Sequence, residues 1–198
     1  MARLVVVKVG GSLLGWNLFP ERLADFLSRR RSERLVLIMG GGPAADLIRD
    51  LDRCHGLGET ASHALALRAL DLTAYVLADL LRGVRVVRAT EALDAVWREG
   101  HTPILAPSLF LELDDRTSAD PLPHTWEITS DSIAARLATH LGAAELVLLK
   151  SAPLPAGTDR AEAARLGLVD AAFPASARAL DRVTYVNLRE IPGCEMPF

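Results

Sequence analysis

The chain has 198 residues, half of them hydrophobic, with a formal net charge of −3 at pH 7 and a pI near 6.0. That length suits one domain with a substantial core, and the acidic balance, without a basic stretch paired to aromatics, argues against a nucleic-acid partner. Cys54 and Cys194 form neither a disulfide framework nor a zinc motif, and the N-terminus enters a strand without a signal-peptide layout, so a soluble cytoplasmic protein is expected.

Leu4–Val9 reads as a buried strand, followed by Gly10-Gly11-Ser12. Pro20–Arg31 reads as a helix with Leu23, Phe26 and Leu27 on one face and Pro20 in its first turn. Arg29-Arg30-Arg31 closes it where cations meet the negative dipole end, and reads as a solvated terminus. Leu35–Met39 is a second strand, followed by Gly40-Gly41-Gly42 and a helix from Pro43 to about Arg53. Ala61–Leu81 is a long helix, apolar almost all round and so expected to be buried. Its Arg68, Asp71 and Asp79 argue against a membrane span. Val84–Val87 reads as a strand, Glu91–Arg98 as a helix, Pro103–Leu105 as a short strand and Ser108–Glu112 as a further extended piece. Asp114–Glu127 is polar, contains prolines and reads as a loop. Thr129-Ser130-Asp131 caps a helix running to about Leu141. Leu146–Leu149 is a strand, Arg160–Leu166 and Ala175–Leu180 are helical, and Val183–Asn187 is the last strand. This alternation predicts a mainly parallel sheet with helices on both faces.

The basic residues are unevenly chosen: twenty arginines and only two lysines, Lys8 and Lys150. Each lysine sits at the end of an apolar strand, beside Gly10-Gly11-Ser12 or Ser151. Lysine is a compact, mobile point charge that arginine's planar fork does not replace at a phosphate. Ligands of open α/β sheets bind beyond the carboxyl ends of the strands, where Lys8, Gly40-Gly41-Gly42 and Lys150 all fall. Gly10, Gly11, Ser12, Gly40, Gly41, Gly42 and Ser151 are therefore candidate phosphate binders, through close backbone approach and the amides of a helix start. A tight turn is the alternative reading of each glycine run taken singly. The Walker A ending and the GxGxxG spacing are both missing.

Asp131 opens the helix on the far side of the sequence. Simple capping accounts for Thr129 and Ser130; between Lys8 and Lys150, Asp131 would orient both ammonium groups. Trp126 and His124, in the polar loop before that helix, are candidates to stack on a ring and hydrogen-bond a substrate. His63, Ser130, Asp46 and Asp71 complete the substrate-binding candidates, the two carboxylates as receivers of a cationic group. The commoner role of such carboxylates is a solvated or N-terminal helix charge.

With these motifs in this order, the chain resembles the amino acid kinase superfamily, which includes acetylglutamate, aspartate, carbamate and uridylate kinases. The resemblance runs from Leu4 to about Ser151. It rests on Lys8-Val9-Gly10-Gly11-Ser12, on Gly40-Gly41-Gly42 with Asp46, and on Ser130-Asp131-Ser132-Ile133-Ala134-Ala135 followed by Leu146-Val147-Leu148-Leu149. It implies a three-layer αβα sandwich around a mainly parallel sheet, with residues 1–198 as a single domain. Many members place Thr-Asp after the last of these strands and a lysine further on. Here Lys150-Ser151 takes that place, no later lysine exists, and 48 residues follow Lys150, which implies a shortened nucleotide lobe. Short length and the His124–Asp131 run are most similar to the small kinases of methanofuran biosynthesis.

That resemblance implies ATP-dependent phosphorylation of (5-(aminomethyl)furan-3-yl)methyl phosphate to the diphosphate, with Mg2+ carried on the nucleotide and no metal ligands in the chain. Lys8, Asp131 and Lys150 would be catalytic. The implied partners are ATP and a phosphorylated small molecule, with homo-oligomerisation open and neither nucleic acid nor membrane involved. Two alternatives stand beside it: a kinase of the same superfamily acting on a carboxylate or nucleotide monophosphate, and a non-catalytic nucleotide-binding or storage protein, which the short C-terminal region favours.

Overall fold

The computed structural model describes residues 2–190 and 195–198. Seven strands form one sheet in the order β3-β4-β2-β1-β5-β6-β7. They are β1 (Leu4–Val9), β2 (Arg34–Met39), β3 (Val84–Val87), β4 (Thr102–Leu105), β5 (Glu145–Lys150), β6 (Val183–Asn187) and β7 (Glu195–Pro197). All neighbours are parallel except the edge pair β6–β7. The helices are α1 (Phe19–Arg29), α2 (Gly42–His55), α3 (Glu59–Leu80), α4 (Leu93–Arg98), α5 (Pro107–Thr117), α6 (Ser130–His140), α7 (Arg160–Arg165) and α8 (Phe173–Ser176). Among the described residues no helix is long and apolar enough to cross a membrane.

The central strands read as continuous apolar runs because helices cover both of their faces. Val5, Val7 and Val9 pack with α1 and the end of α3. Val6, Leu146 and Leu148 pack with α5, α6 and α8. β1 lies between β2 and β5, so the chain's direction of travel across the sheet reverses at β1. A crevice opens beyond strand ends at such a reversal.

Several sequence readings need correction, among them the last helix, which runs over Phe173–Ser176 rather than Ala175–Leu180, and the loop read from Asp114, whose first residues 114–117 are helical. Ser108–Glu112 is not extended but part of α5: the Leu-Phe-Leu-Glu-Leu alternation imitates a strand, whereas the buried residues Pro107, Ser108, Phe110, Leu111 and Asp114 follow helical spacing. Arg30 does not end in solvent. It bonds Glu33 at 3.0 Å and the wholly buried carboxylate of Glu145 at 3.1 Å, which Arg3, Arg182 and Thr184 also meet. Helix α3 is not buried all round, since Leu65, Leu72, Tyr75, Val76 and Leu80 are exposed along it. The edge strand β7 carries no strand signal that the sequence reading recognised. Cys54 is exposed, and Cys194 lies outside the described residues.

Candidate active site

Side-chain alternation sets the lysines. Lys8 pairs with Leu148 across the β1–β5 ladder, and Lys150 lies two residues further along β5, so both point to the face covered by α6. The first turn of α6 brings Asp131 down between them. Lys8 Nζ lies 2.9 Å from Asp131 Oδ1, and Lys150 Nζ donates to Oδ2 at 2.8 Å. The Lys8 contact is an ion pair without hydrogen-bond alignment, which leaves Oδ1 without an aligned hydrogen-bond partner among the described residues. Lys8 and Asp131 are both about 4% exposed.

Two cations share one carboxylate in a dry place, and the acidities follow. Burial alone pushes Asp131 up, but the Lys150 and Lys8 ammonium groups outweigh it and hold the carboxyl at about 2. Burial and, more weakly, the charge of Lys8 bring Lys150 down to about 8 against the pull of Asp131. Tyr185 on β6 donates to the Ala152 carbonyl at 3.0 Å. Burial and the Asp131 charge push its phenol up to about 12.

The glycine loops meet back to back beside this bridge. A Cβ on Gly11 would lie 2.2 Å from the Gly42 nitrogen and 2.7 Å from the Gly40 oxygen. Both neighbours are backbone, so only glycine fits. Gly42 has a φ of +51°, in the left-handed region, at the entry to α2. The Gly10 amide, expected to face a phosphate, bonds instead to the Leu149 carbonyl at 2.8 Å, and the Gly40 amide bonds to the Val9 carbonyl at 2.8 Å. They tie each loop to the neighbouring strand. A Cβ on Gly41 would lie 2.5 Å from Ala45 Cβ and 3.0 Å from Leu70 Cδ1, two residues of the wall around the cavity beside these loops. Ser12 and Ser151 join the β1 and β5 loops through a 2.8 Å hydroxyl contact.

A cavity of about 320 Å³ opens next to these loops. Gly11, Ser12, Gly40, Gly41, Gly42, Asp46, His63, Trp126 and Ser130 line it, together with an apolar wall that includes Leu67, Ile128 and Ile133. Trp126 donates to Asp52 at 2.9 Å, and Arg49 lies over its ring at 5.1 Å while bonding Asp46 at 2.6 Å. One indole face and the Asp46 carboxylate thus already have a partner. His124 does not line the cavity. It stacks behind His63 with ring centroids 5.0 Å apart and planes 7° from parallel, and bonds Asp115 at 2.9 Å. Burial and the neighbouring His124 lower the pKa of His63, which favours the neutral ring.

Asp71 is not part of this site. It accepts the Ser108 amide at 3.1 Å and the Ser108 hydroxyl, and so caps α5. The sequence reading also missed Asp170. Its Oδ2 accepts from the Thr129 amide, the Thr129 hydroxyl and the Ser132 amide at 3.1, 2.8 and 3.0 Å, and its Oδ1 from the Ser132 hydroxyl. Thr129 therefore does not cap α6 with its own side chain. Nothing local marks Asp170 as the distant partner of that helix.

Residues 3–153, through the β5 end and Lys150, match the model of the amino acid kinase family. The chain belongs to the amino acid kinase family. It is 30% identical over 148 residues to the (5-(aminomethyl)furan-3-yl)methyl phosphate kinase of Methanocaldococcus jannaschii, a span of 72% of this chain and 63% of that protein. Among solved structures it resembles the UMP kinase of Ureaplasma parvum, with a TM-score of 0.67 at 14% identity over 98% of this chain and 93% of that one. It also resembles the uridylate kinase of Archaeoglobus fulgidus, with a TM-score of 0.60 at 15% identity over 91% of this chain and 89% of that one. These structures share the α/β fold expected from the strand–helix alternation.

Proposed function

We propose that the chain is a cytoplasmic ATP-dependent kinase that phosphorylates (5-(aminomethyl)furan-3-yl)methyl phosphate to the diphosphate in the biosynthesis of a methanofuran-type cofactor. The observation that carries the kinase reading is the buried Lys8–Asp131–Lys150 bridge at the carboxyl ends of β1 and β5. The named relative supports the acceptor.

In this reading an acceptor phosphate oxygen attacks the γ-phosphorus of ATP, the bond to the β–γ bridging oxygen breaks, and ADP leaves with that electron pair. The acceptor is already ionised, so no strong general base is required. Lys8 and Lys150 neutralise charge on the transferring group, while Asp131 holds both ammonium groups in place beforehand. Gly11, Gly41 and Gly42 provide close backbone approach, and the start of α2 presents amides to an anion. Mg2+, carried on the nucleotide, would supply further neutralisation of phosphate charge. The acceptor occupies the cavity of about 320 Å³, with its ring against the open face of Trp126 and its aminomethyl group competing with Arg49 for Asp46. The neutral His63 ring accepts or donates one hydrogen bond there. The nucleotide occupies the side of Ser12, Ser151 and the residues after β5, a shortened lobe of one domain spanning 1–198. The exposed apolar side of α3 suits contact between copies of this chain.

The test is product formation followed by mass spectrometry, with the aminomethylfuran phosphate offered beside acetylglutamate, carbamate and UMP. The diphosphate should form from the furan. Turnover with only one of the other acceptors refutes the furan assignment, and ATP binding without transfer to any of them refutes the kinase reading.

A further inference from the structure

We propose that Asp170 is a positioning residue for phosphoryl transfer: its carboxylate fixes the first turn of α6 and thereby sets Asp131 between Lys8 and Lys150. This rests on the proposed role of that bridge. Asp170 lies between α7 and α8, beyond residues 3–153 that match the family.

The argument is geometric. Asp131 is the second residue of α6, flanked by Thr129 before the helix and Ser132 one position on. Asp170 grips both flanks through the four bonds described above, two from amides and two from hydroxyls. A helix start normally satisfies such amides with its own cap residue. Here Thr129 gives its hydroxyl away to Asp170, so the turn is anchored from a separate part of the chain. Hydrogen bonds to a charged acceptor are the stronger kind, and a carboxylate is favoured at this dipole end. The backbone on each side of Asp131 therefore has little freedom, and its carboxylate meets two ammonium groups at 2.9 and 2.8 Å. A loss of about 1 Å in such placement can cost on the order of a hundredfold in rate.

The charged groups around Lys150 are Asp131 from α6 and Lys8 from β1, with Tyr185 of β6 influenced in turn by Asp131. Displacing Asp131 removes the one charge that raises the pKa of Lys150. The chain has only two lysines, so protein labelled with 13C at lysine Cε gives two side-chain signals. Their pH titration reads Lys150 without reference to activity, and Lys150→Arg assigns the signals. In the unaltered chain Lys150 should titrate at about 8. In Asp170→Ala the midpoint should move to lower pH and kcat should fall about tenfold to a hundredfold. Asp170→Asn should keep most of both, because the amide oxygen accepts the three Oδ2 bonds and the amide NH2 donates to the Ser132 hydroxyl.

A folded Asp170→Ala with a lower melting temperature but an unchanged lysine midpoint and kcat overturns the proposal. If Asp170→Ala does not fold, Ser132→Ala, which removes one of the four donors, is read in the same way. A shifted midpoint in a chain that transfers phosphate to no acceptor supports the positioning role and refutes the kinase reading instead.

Discussion

Asp131→Asn removes the charge shared by two lysines while leaving a side chain of nearly the same shape. The structural cost follows from the carboxyl's acidity, which drops from 3.8 to about 2 on folding. At about 1.4 kcal/mol per pKa unit, the charged form contributes about 2 kcal/mol to stability at neutral pH. Because the folded pKa is the lower one, that contribution is complete above pH 3.8 and is lost as pH falls towards 2. A chain of this size loses roughly 2–4 °C of Tm per kcal/mol, so Asn should lower Tm by roughly 4–8 °C at pH 7. The two proteins should converge near pH 2. The loss is bounded because Lys150, already at about 8, can release its proton when its counter-charge disappears. On the proposed mechanism catalysis has no such escape, since a neutral Lys150 would not meet the migrating phosphoryl group with charge. We expect kcat to fall about a hundredfold or more. Melting curves from pH 2 to 8 and steady-state kinetics on the same preparations decide the matter. A Tm drop of the stated size with kcat within threefold of the unaltered enzyme would reduce Asp131 to a structural ion pair.

Lys8→Arg should still bind ATP but lose on the order of a hundredfold in kcat, because a planar fork does not reproduce a point contact; an unchanged kcat removes Lys8 from the mechanism. The alkaline limb of kcat/KM should fall through about pH 8 as Lys150 loses its proton. The stability contribution of the same group runs the opposite way: its folded pKa is depressed, so stability rises with pH between about 8 and 10.5. A flat kcat/KM from pH 7 to 9 contradicts this. Gly11→Ala should abolish ATP binding in calorimetry, since its methyl would sit 2.2 Å from the Gly42 nitrogen; normal binding shows that the loops can separate. Trp126→Ala should raise KM for the furan acceptor and leave KM for ATP alone, and the reverse pattern moves this wall to the nucleotide side.

The sequence made legible those parts of the site whose meaning is carried by neighbours in the chain. A strand's alternation tells which way Lys8 and Lys150 point. A glycine run after a strand announces close backbone approach, and acid at a helix start announces the turn that carries Asp131. The parallel order follows from strand–helix alternation in the same way. Illegible were the pairings that only tertiary contact creates. Asp71 and Asp170 have equal claims as acids, yet one caps α5 and the other anchors α6. Trp126 looked free to stack, and Arg49 covers one of its faces. His124 and His63 lie 61 positions apart, and only their 5.0 Å stack makes one the support of the other. The triple glycine was legible as a feature but not in detail, because only the folded loop shows that a Cβ on Gly41 would meet Ala45 and Leu70 in the cavity wall.

The scarcity of lysine has a physical reading once the bridge is seen. Elsewhere in this chain arginine does the pairing, as around Glu145, where three guanidinium groups reach one carboxylate, Arg3 and Arg182 from part-exposed positions and Arg30 from a largely buried one. Between β1, β5 and α6 the geometry is different. Two adjacent parallel strands lie about 4.8 Å apart, and a single carboxylate must receive a cation from each. An ammonium occupies one point and can turn any of its three donors towards Asp131 or a phosphate oxygen. A guanidinium carries five donors in a fixed plane, and most would remain unmet in a space where Asp131 is 4% exposed. Arginine also keeps its proton at any working pH, whereas Lys150 sits at about 8 and its charge strengthens when a phosphate arrives. On the proposed mechanism, the two positions that carry lysine are the two where charge must be compact and responsive, as transfer of a phosphoryl group requires.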